Sequence, residues 1–376
     1  MELLDIDSSR FVLVIALCSA WLFYTRYHLV AGGTTTGAFL AIVLLNQQWI
    51  VALWIVTCAL LVYAVFKFIV LPRVALPKSW IFSMMVLTCV LFSGIFEVLY
   101  LQDLLQRDSL LFAIVMYGSY ITPGLLAYDL AHQDIKRTLL ALGAVSVVTL
   151  GIASVLLLAM ADFRVGISGT ELSRPLYFDA RFLWVETFAC VILGFILQFG
   201  MNLRSGGFIG PVFLLQFVTP ESVVTVALSA LCAWVFAMAL LRITPLTPRQ
   251  VANMALISGA LIAWFGLYWA SFFGWLPAIE ANGFATAPLL AVGLIAADMT
   301  RSESNPFKTL FGTLLNTAGI FVVTYFVSIG QIITGIGLLL GVLFLALYRL
   351  IPKLKSDWQA ARLAGATSGL RLQSPS

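Results

Sequence analysis

Residues 124–129 read Gly-Leu-Leu-Ala-Tyr-Asp, and the same pattern returns at residues 293–298 as Gly-Leu-Ile-Ala-Ala-Asp. A short polar link follows each copy. It leads to Arg137-Thr138-Leu139 in the first half and to Lys308-Thr309-Leu310 in the second. The separation is 169 residues at the first element and 171 at the second. The two stretches therefore indicate that the chain contains an internal duplication.

A second pair of matching stretches lies upstream of the first. Gly32-Gly33 is followed by Phe39-Leu40, and Gly206-Gly207 is followed by Phe213-Leu214, at a separation of 174 residues. Two matches in the same order and at nearly the same separation are rare by chance. Each half thus carries a Gly-Gly pair near its start and an aspartate near its end.

The composition shows that the solvent of this chain is lipid. Of 376 residues, 61% are hydrophobic and only 10% are charged, whereas a water-soluble chain is about a quarter charged. This excludes a soluble enzyme, a nucleic-acid binder and a secreted disulfide scaffold. The five cysteines show no CxxC spacing and there are only two histidines, so we predict no disulfide framework, no metal centre and no cofactor.

Apolar runs divide the chain into thirteen candidate segments. A spanning helix needs about 20 mostly apolar residues. The segments are 11–25, 31–45, 49–70, 80–101, 109–130, 138–160, 182–201, 205–218, 221–241, 251–273, 284–298, 308–329 and 331–349. Several are short, and two of the short ones open with Gly-Gly, which is typical of broken or re-entrant helices. We therefore expect about 11–13 transmembrane segments.

Because each half holds an even number of segments, we expect parallel repeats related by an axis along the membrane normal. The predicted fold is an all-α polytopic membrane protein with two six-segment repeats and one extra C-terminal helix. The predicted parts are a first repeat (1–160), an external linker (161–181), a second repeat (182–330), an extra helix (331–350) and a basic cytoplasmic tail (351–376).

The distribution of Lys and Arg predicts the orientation. If every segment crosses, 16 of the 21 basic residues fall on one side and 5 on the other. The positive-inside rule places the richer side, and with it the C-terminus, in the cytoplasm. The acidic leader Met1–Asp7 lacks the basic region of a signal peptide. We expect the protein in the bacterial cytoplasmic (inner) membrane.

At the duplicated Gly-Gly and Gly-Leu stretches, the chain resembles CapC/PgsC, the small membrane subunit of poly-γ-glutamate capsule synthesis. Arg26, Gly33 and Phe39-Leu40-Ala41 fit the early pattern of that family, and Pro123–Ala127 fits its later Pro-Gly-Leu-Ile-Ala pattern. Gly37 lies near the place of the early proline of the family. Because the family member has roughly half this length, the chain resembles two fused copies.

The second half fits the same two patterns. Gly207, Pro211 and Phe213-Leu214 match the early one, and Gly293–Ala296 matches the later one, although Val292 replaces its proline. The resemblance implies a cytoplasmic ATP-dependent amide ligase and an outward-facing accessory subunit as partners. It also implies the synthesis and export of a γ-linked glutamate polymer, and the fusion leaves open whether the polymer is the same.

Small residues near each Gly-Gly pair are the first site candidates. They would form broken helices whose freed backbone groups line a substrate path, or they would allow close helix packing. The candidates are Gly32, Gly33, Thr34, Thr35, Gly37, Gly206, Gly207, Gly210 and Pro211.

Acidic residues near or within the segments form a second group of candidates. Asp129 and Asp298 occupy equivalent places, and they are either a docking surface or pore-mouth charge, or carboxylates solvated or paired locally at helix ends. Glu97 and Glu186 lie deeper, where an ionisable group is costly and is a functional hypothesis by default. Glu97 also lies near a segment end, and Glu186 lies close to Arg181.

Basic residues on the predicted cytoplasmic side form the third group. They would suit a polyanionic product, but the positive-inside rule alone also predicts them. The candidates are Arg26, Lys136, Arg137, Arg204, Arg301 and Lys308. The sequence contains no recognisable catalytic constellation, so we assign no catalytic residue.

Two functions remain open from the sequence. The first is a non-catalytic membrane subunit of a polymer synthesis and export complex, with membrane lipid as its surroundings and no nucleic-acid partner. The alternative is an independent secondary transporter or flippase for a small anion, because parallel repeats with glycine-broken segments are typical of transporters.

Overall fold

Helices joined by short loops make up the described parts of the chain. The computed structural model describes residues 6–30, 32–45, 47–73, 78–97, 110–160, 178, 182–208, 210–216, 220–274, 286–301, 305–344 and 348. Within these ranges there is no strand. Apart from Phe178, the predicted linker 161–181 lies outside them, as does the predicted tail 351–376.

We number the described helices in chain order. The first repeat holds α1 (Ile6–Tyr27), α2 (Gly33–Leu45), α3 (Trp49–Val65, continued by a π-helical turn Phe66–Val70), α4 (Lys78–Phe96), α5 (Leu110–His132) and α6 (Ile135–Met160). The second holds α7 (Leu183–Gly200), α8 (Gly210–Gln216), α9 (Pro220–Ile243), α10 (Pro248–Phe272), α11 (Thr286–Arg301) and α12 (Pro306–Ser328). The extra helix is α13 (Ile332–Phe344).

The all-α membrane fold predicted from the sequence is confirmed, since each of the thirteen predicted segments corresponds to one helix. Among the described residues, six helices are long and apolar enough to cross a membrane by length and composition, namely α1, α3, α6, α7, α9 and α12. These six form three equivalent pairs, one member of each pair in each repeat. The duplication thus extends from the short sequence matches to the long helices.

The two repeats pack their helices in the same way. In the first repeat α1 packs on α6, and α5 packs on α2, α3 and α4. In the second repeat α7 packs on α12, and α11 packs on α8, α9 and α10. The fifth helix of each repeat is therefore its packing centre.

The repeats meet mainly through two equivalent pairs of helices. Helix α1 packs on α10, and α7 packs on α4. Phe11 meets Trp264 edge to face with 4.9 Å between ring centroids. In the equivalent contact, the Trp184 indole N–H donates to the Val90 carbonyl at 2.9 Å. Each repeat therefore offers its first and fourth helices to the other.

The ends of the helices show that the repeats run parallel. One cavity is lined by residues from the C-terminal ends of α7 and α11 and the N-terminal ends of α4 and α10. An adjoining cavity is lined by the C-terminal end of α1 together with the same ends of α10 and α11. Because α1 and α7 both end here, they point the same way. We call this end of the bundle, where α1, α7 and α11 end and α4 and α10 begin, the joint end.

The second helix of each repeat is short. Helix α2 has 13 residues and α8 has 7, which at about 1.5 Å per residue gives roughly 20 Å and 10 Å. The hydrocarbon core of a bilayer is about 30 Å thick. Neither helix spans that distance alone. Both begin at the joint end, α2 at the second glycine of its Gly-Gly pair and α8 three residues beyond its pair.

Two equivalent glycines allow the central helix of each repeat to approach its neighbour. A Cβ on Gly124 of α5 would lie 2.6 Å from the Val86 Cα of α4, and one on Gly293 of α11 would lie 2.5 Å from the Leu256 carbonyl oxygen of α10. Val86 and Leu256 are therefore also equivalent. In both contacts the obstacle is backbone, which cannot rotate aside.

We predict that Gly124→Ala and Gly293→Ala each destabilise the protein by about 1–3 kcal/mol, the usual cost of overpacking. The control is Gly151→Ala in α6, where a Cβ would meet nothing within 4 Å. Thermal unfolding in detergent measures all three. Equal melting temperatures for the three variants would contradict the proposed close approach.

Candidate functional site

The turn that leaves the first helix is built alike in both repeats. His28 and Asn202 each have φ of 53°, the left-handed conformation that ends a helix. The next amide then bonds back to the helix, from Leu29 to the Phe23 carbonyl at 3.4 Å and from Leu203 to the Leu197 carbonyl at 2.9 Å. These residues are again 174 positions apart.

The Gly-Gly pair of each repeat follows this turn in a left-handed conformation. Gly32 and Gly33 both have φ of 74°, and Gly206 and Gly207 have φ of 73° and 72°. A residue with a Cβ pays about 1–2 kcal/mol for such a backbone. In addition, a Cβ on Gly206 would lie 2.6 Å from the Ile295 side chain. All four positions therefore favour glycine for backbone conformation, and Gly32 and Gly206 also for space.

The duplicated aspartate bonds to the duplicated glycine. The Gly33 amide donates to the Asp129 carboxylate at 2.7 Å, and the Gly207 amide donates to the Asp298 carboxylate at 2.8 Å. Each bond ties the loop after the first helix to the end of the fifth helix of its repeat. We call each of these bonds a glycine–aspartate joint.

Both carboxylates have little exposure to solvent. Asp129 is 7% exposed, and the Asp298 side chain is 14% exposed. Of the interpretations open from the sequence, this geometry matches a locally paired helix-end carboxylate. The docking-surface and pore-mouth interpretations stay predictions, and Asp298 also lines a cavity.

The second joint has a cation from its own repeat, whereas the cation that acts on Asp129 in the first joint is Arg249 of the second repeat. The Arg204 guanidinium lies 3.7 Å from the second oxygen of Asp298. The equivalent position in the first repeat is Val30. Its backbone N–H donates to the side-chain oxygen of Gln133 at 3.3 Å, and its carbonyl accepts from the side-chain nitrogen of Gln133 at 3.5 Å. The two joints therefore share their backbone geometry, but only the second has its arginine within the same repeat.

A cavity of about 220 Å³ opens beside the second joint. Its polar wall consists of Gln198, Arg204, Asn253, Asp298 and Arg301. Its apolar wall includes Phe82 of the first repeat, whose ring lies 5.7 Å from that of Phe208. We call it the main cavity, and both repeats contribute to it.

A smaller cavity of about 80 Å³ lies beside the first joint. Gly33 and Tyr24 line one side and Arg249 lines the other, with the Arg249 guanidinium 4.8 Å from the centre of the Tyr24 ring. Asn253 and Arg301 line both cavities. The two cavities are therefore neighbours at the joint end.

All the arginines that line the two cavities belong to the second repeat. They are Arg204, Arg249 and Arg301. His132 is equivalent to Arg301 in the first repeat, as Val30 is to Arg204. The two repeats therefore share the joints, whereas the described arginines that line the cavities come from the second repeat.

Comparison with known protein families gives one result that covers most of the chain. The family model for capsule biosynthesis protein CapC matches residues 15–139 and again residues 189–307. The chain belongs to the CapC family. Each matched stretch contains one Gly-Gly pair and its aspartate, so the two matches coincide with the two repeats. No curated protein and no solved structure matches the chain.

The other small candidates of this CapC-family chain have packing contacts. Thr35 is buried, and a Cβ on Gly37 would lie 2.6 Å from the Val145 side chain of α6. Gly210 begins α8, and the Pro211 carbonyl accepts a hydrogen bond from the Thr317 hydroxyl at 3.4 Å. The side chain of Thr34 lies outside the described residues.

The two deeper acids lie away from the cavities. Glu97 is buried near the end of α4, where the Tyr120 hydroxyl donates to its carboxylate. Glu186 is fully buried in α7. Neither lines the main or the smaller cavity. Both therefore remain hypotheses separate from the joint-end site.

The predicted basic candidates fall into two groups. Arg204 and Arg301 line the main cavity. The others are exposed and line neither cavity: Arg26, Lys136, Arg137 and Lys308. The structure adds Arg249 and Asn253, which the sequence analysis missed. Asn253 could have been found from the sequence, because it is a polar residue within an apolar segment.

Metal-ligating side chains do not cluster in the described part of this CapC-family chain. No group of three or more His, Cys, Asp or Glu residues is suitably placed there for an ion. Cys190 lies near the second joint, and its thiol contacts the Phe208 carbonyl at 3.0 Å. The polar side chains that line the two cavities carry guanidinium, amide, hydroxyl and carboxylate groups.

We predict that Asp129→Ala and Asp298→Ala each destabilise the protein by about 1–3 kcal/mol, the usual cost of leaving a buried donor unpaired. The matched variants Asp129→Asn and Asp298→Asn keep an oxygen that accepts the glycine amide. They should therefore lose less stability. Melting temperatures in detergent compare the pairs, and equal losses for Ala and Asn would argue against the joints.

Proposed function

We propose that this CapC-family chain is the integral membrane subunit of a complex that makes and exports an anionic, amide-linked polymer of the poly-γ-glutamate type. Membership of the family supports a role in capsule biosynthesis. The observation that supports an anionic product is the arginine-lined pair of cavities at the joint end. Guanidinium groups bind carboxylates through planar, paired hydrogen bonds.

We propose that the joint end faces the cytoplasm of a bacterium and that the chain lies in its inner membrane. Many basic residues counted on the richer side lie at this end, including Arg26, Lys136 and Lys308. Arg10 lies near the start of α1, at the opposite end. This distribution supports the orientation that the positive-inside rule predicts, with the C-terminus in the cytoplasm.

We propose that an ATP-dependent ligase in the cytoplasm supplies the chemistry and that an outward-facing accessory subunit completes the complex. The polar groups of the cavities are suited to binding and guiding an acidic chain. Amide-bond formation also requires an activated carboxyl group, which a ligase would supply from ATP. The exposed basic residues around the joint end would contact such a partner.

A second candidate function is a secondary transporter or flippase for a small anion. The observation in its favour is the size of the main cavity, about 220 Å³, which is below the roughly 300–1,000 Å³ of pockets for larger ligands. Protein reconstituted alone in liposomes tests this candidate. Uptake of glutamate or phosphate driven by an ion gradient, without any ligase, would favour it over the polymer complex.

We predict that deleting the gene abolishes γ-linked glutamate polymer at the cell surface and that the intact gene restores it. The measurement is acid hydrolysis and amino-acid analysis of surface polymer. Affinity purification of the tagged protein should also recover an ATP-dependent amide ligase. Unchanged polymer in the deletion strain would refute the proposed function, whatever the cavities bind.

A further inference from the structure

The charges of the main cavity are arranged so that one cation can change partners. Arg204 faces Asp298 at 3.7 Å, which is an ion pair but is longer than the usual N–H···O hydrogen bond of about 2.7–3.2 Å. The other Asp298 oxygen is held by the Gly207 amide at 2.8 Å. If Arg204 turns away, Asp298 therefore keeps its hydrogen bond to the backbone.

We propose that the main cavity is a subsite for one carboxylate group of an acidic chain, and that Arg204 exchanges Asp298 for that carboxylate when the ligand binds. This inference rests on the proposed function for the origin of the acidic chain. Arg301 and Asn253 would complete the subsite from the opposite wall. Asp298 acts as the internal occupant that the ligand displaces from Arg204.

Charge and volume favour a single carboxylate over a phosphate or a nucleotide. The cavity brings together Arg204, Arg301 and Asp298, whose formal charges leave one positive charge for a monovalent anion to neutralise. A volume of about 220 Å³ is small beside the roughly 300–1,000 Å³ of pockets that take drug-sized ligands. Arg204 already holds a carboxylate in this structure, which shows that its position suits that group.

The duplication predicts one subsite per chain. The first repeat has Val30 where the second has Arg204. The smaller cavity of about 80 Å³ beside the first joint is lined by Arg249 and Arg301, which both belong to the second repeat. Arg249 is already engaged with Asp129 there, and the smaller cavity has little more than a third of the volume of the main cavity, so we expect no second carboxylate beside Asp129. Two sequence repeats should accordingly yield a single binding event.

Isothermal titration of the purified full-length protein with a γ-linked glutamate trimer tests the proposal. We expect about one trimer per chain. Arg204→Gln should weaken binding by at least about tenfold, because it removes a charge-assisted hydrogen bond. Asp298→Asn should tighten binding by about two- to fivefold, because it frees Arg204 from an ion pair and still accepts the Gly207 amide.

Two matched variants serve as controls. Arg242→Gln removes an exposed arginine at the end of α9, and Arg242 lines neither cavity. Asp129→Asn makes the same change as Asp298→Asn in the joint without Arg204. Both should bind the trimer like the unaltered protein. Melting temperatures identify any variant whose binding changes only because it is less stable.

Opposite effects at Arg204 and Asp298 distinguish ligand exchange from a merely structural ion pair. If Arg204→Gln binds normally, or if Asp298→Asn weakens binding as much as Arg204→Gln does, the proposal is wrong. Inorganic phosphate and the trimer's methyl ester should both bind at least about tenfold more weakly than the trimer. Equal binding of phosphate would overturn the assignment to carboxylate.

The outcome is separable from that of the proposed function. Loss of surface polymer in the deletion strain with no trimer binding would leave the capsule role standing and refute the subsite. Trimer binding with unchanged surface polymer would leave the subsite standing and refute the capsule role.

Discussion

The structure depends on a carboxylate oxygen that accepts a hydrogen bond from a glycine amide, once in each repeat. Asp129 holds Gly33 and Asp298 holds Gly207. A buried carboxylate is costly unless donors surround it, and a left-handed glycine loop presents its amide without a side chain in the way. This pairing fixes where the short second helix begins against the central fifth helix. The other helices of each repeat pack around that centre.

Duplication of this unit explains both the symmetry and the asymmetry of the chain. The symmetric parts are geometric: the left-handed turns, the glycine contacts of α5 and α11, and the reciprocal packing of α1 on α10 and α4 on α7. The asymmetric part is electrostatic, because Arg204 and Arg301 have Val30 and His132 as their equivalents.

The helices and the duplication could be predicted from the sequence, because each depends on residues that are close together along the chain. Apolar runs mark the helices, and the Gly-Gly and Gly-Leu patterns mark the repeats. The glycine–aspartate joints could not be predicted from the sequence, because they connect residues 96 and 91 positions apart. Arg249 was also missed, because it reaches Tyr24 of the other repeat. Contacts between repeats depend on how the halves pack, which no local pattern records.

Hydrogen–deuterium exchange at the two glycine loops tests the central claim most directly. In the unaltered protein the amides of Gly33 and Gly207 should exchange slowly, because each is bonded to a buried carboxylate. Asp129→Ala should speed exchange in peptides covering residues 28–37 and leave residues 202–211 unchanged, and Asp298→Ala should do the opposite. Fast exchange at both loops in the unaltered protein, or an effect of either variant on both loops alike, would contradict the account.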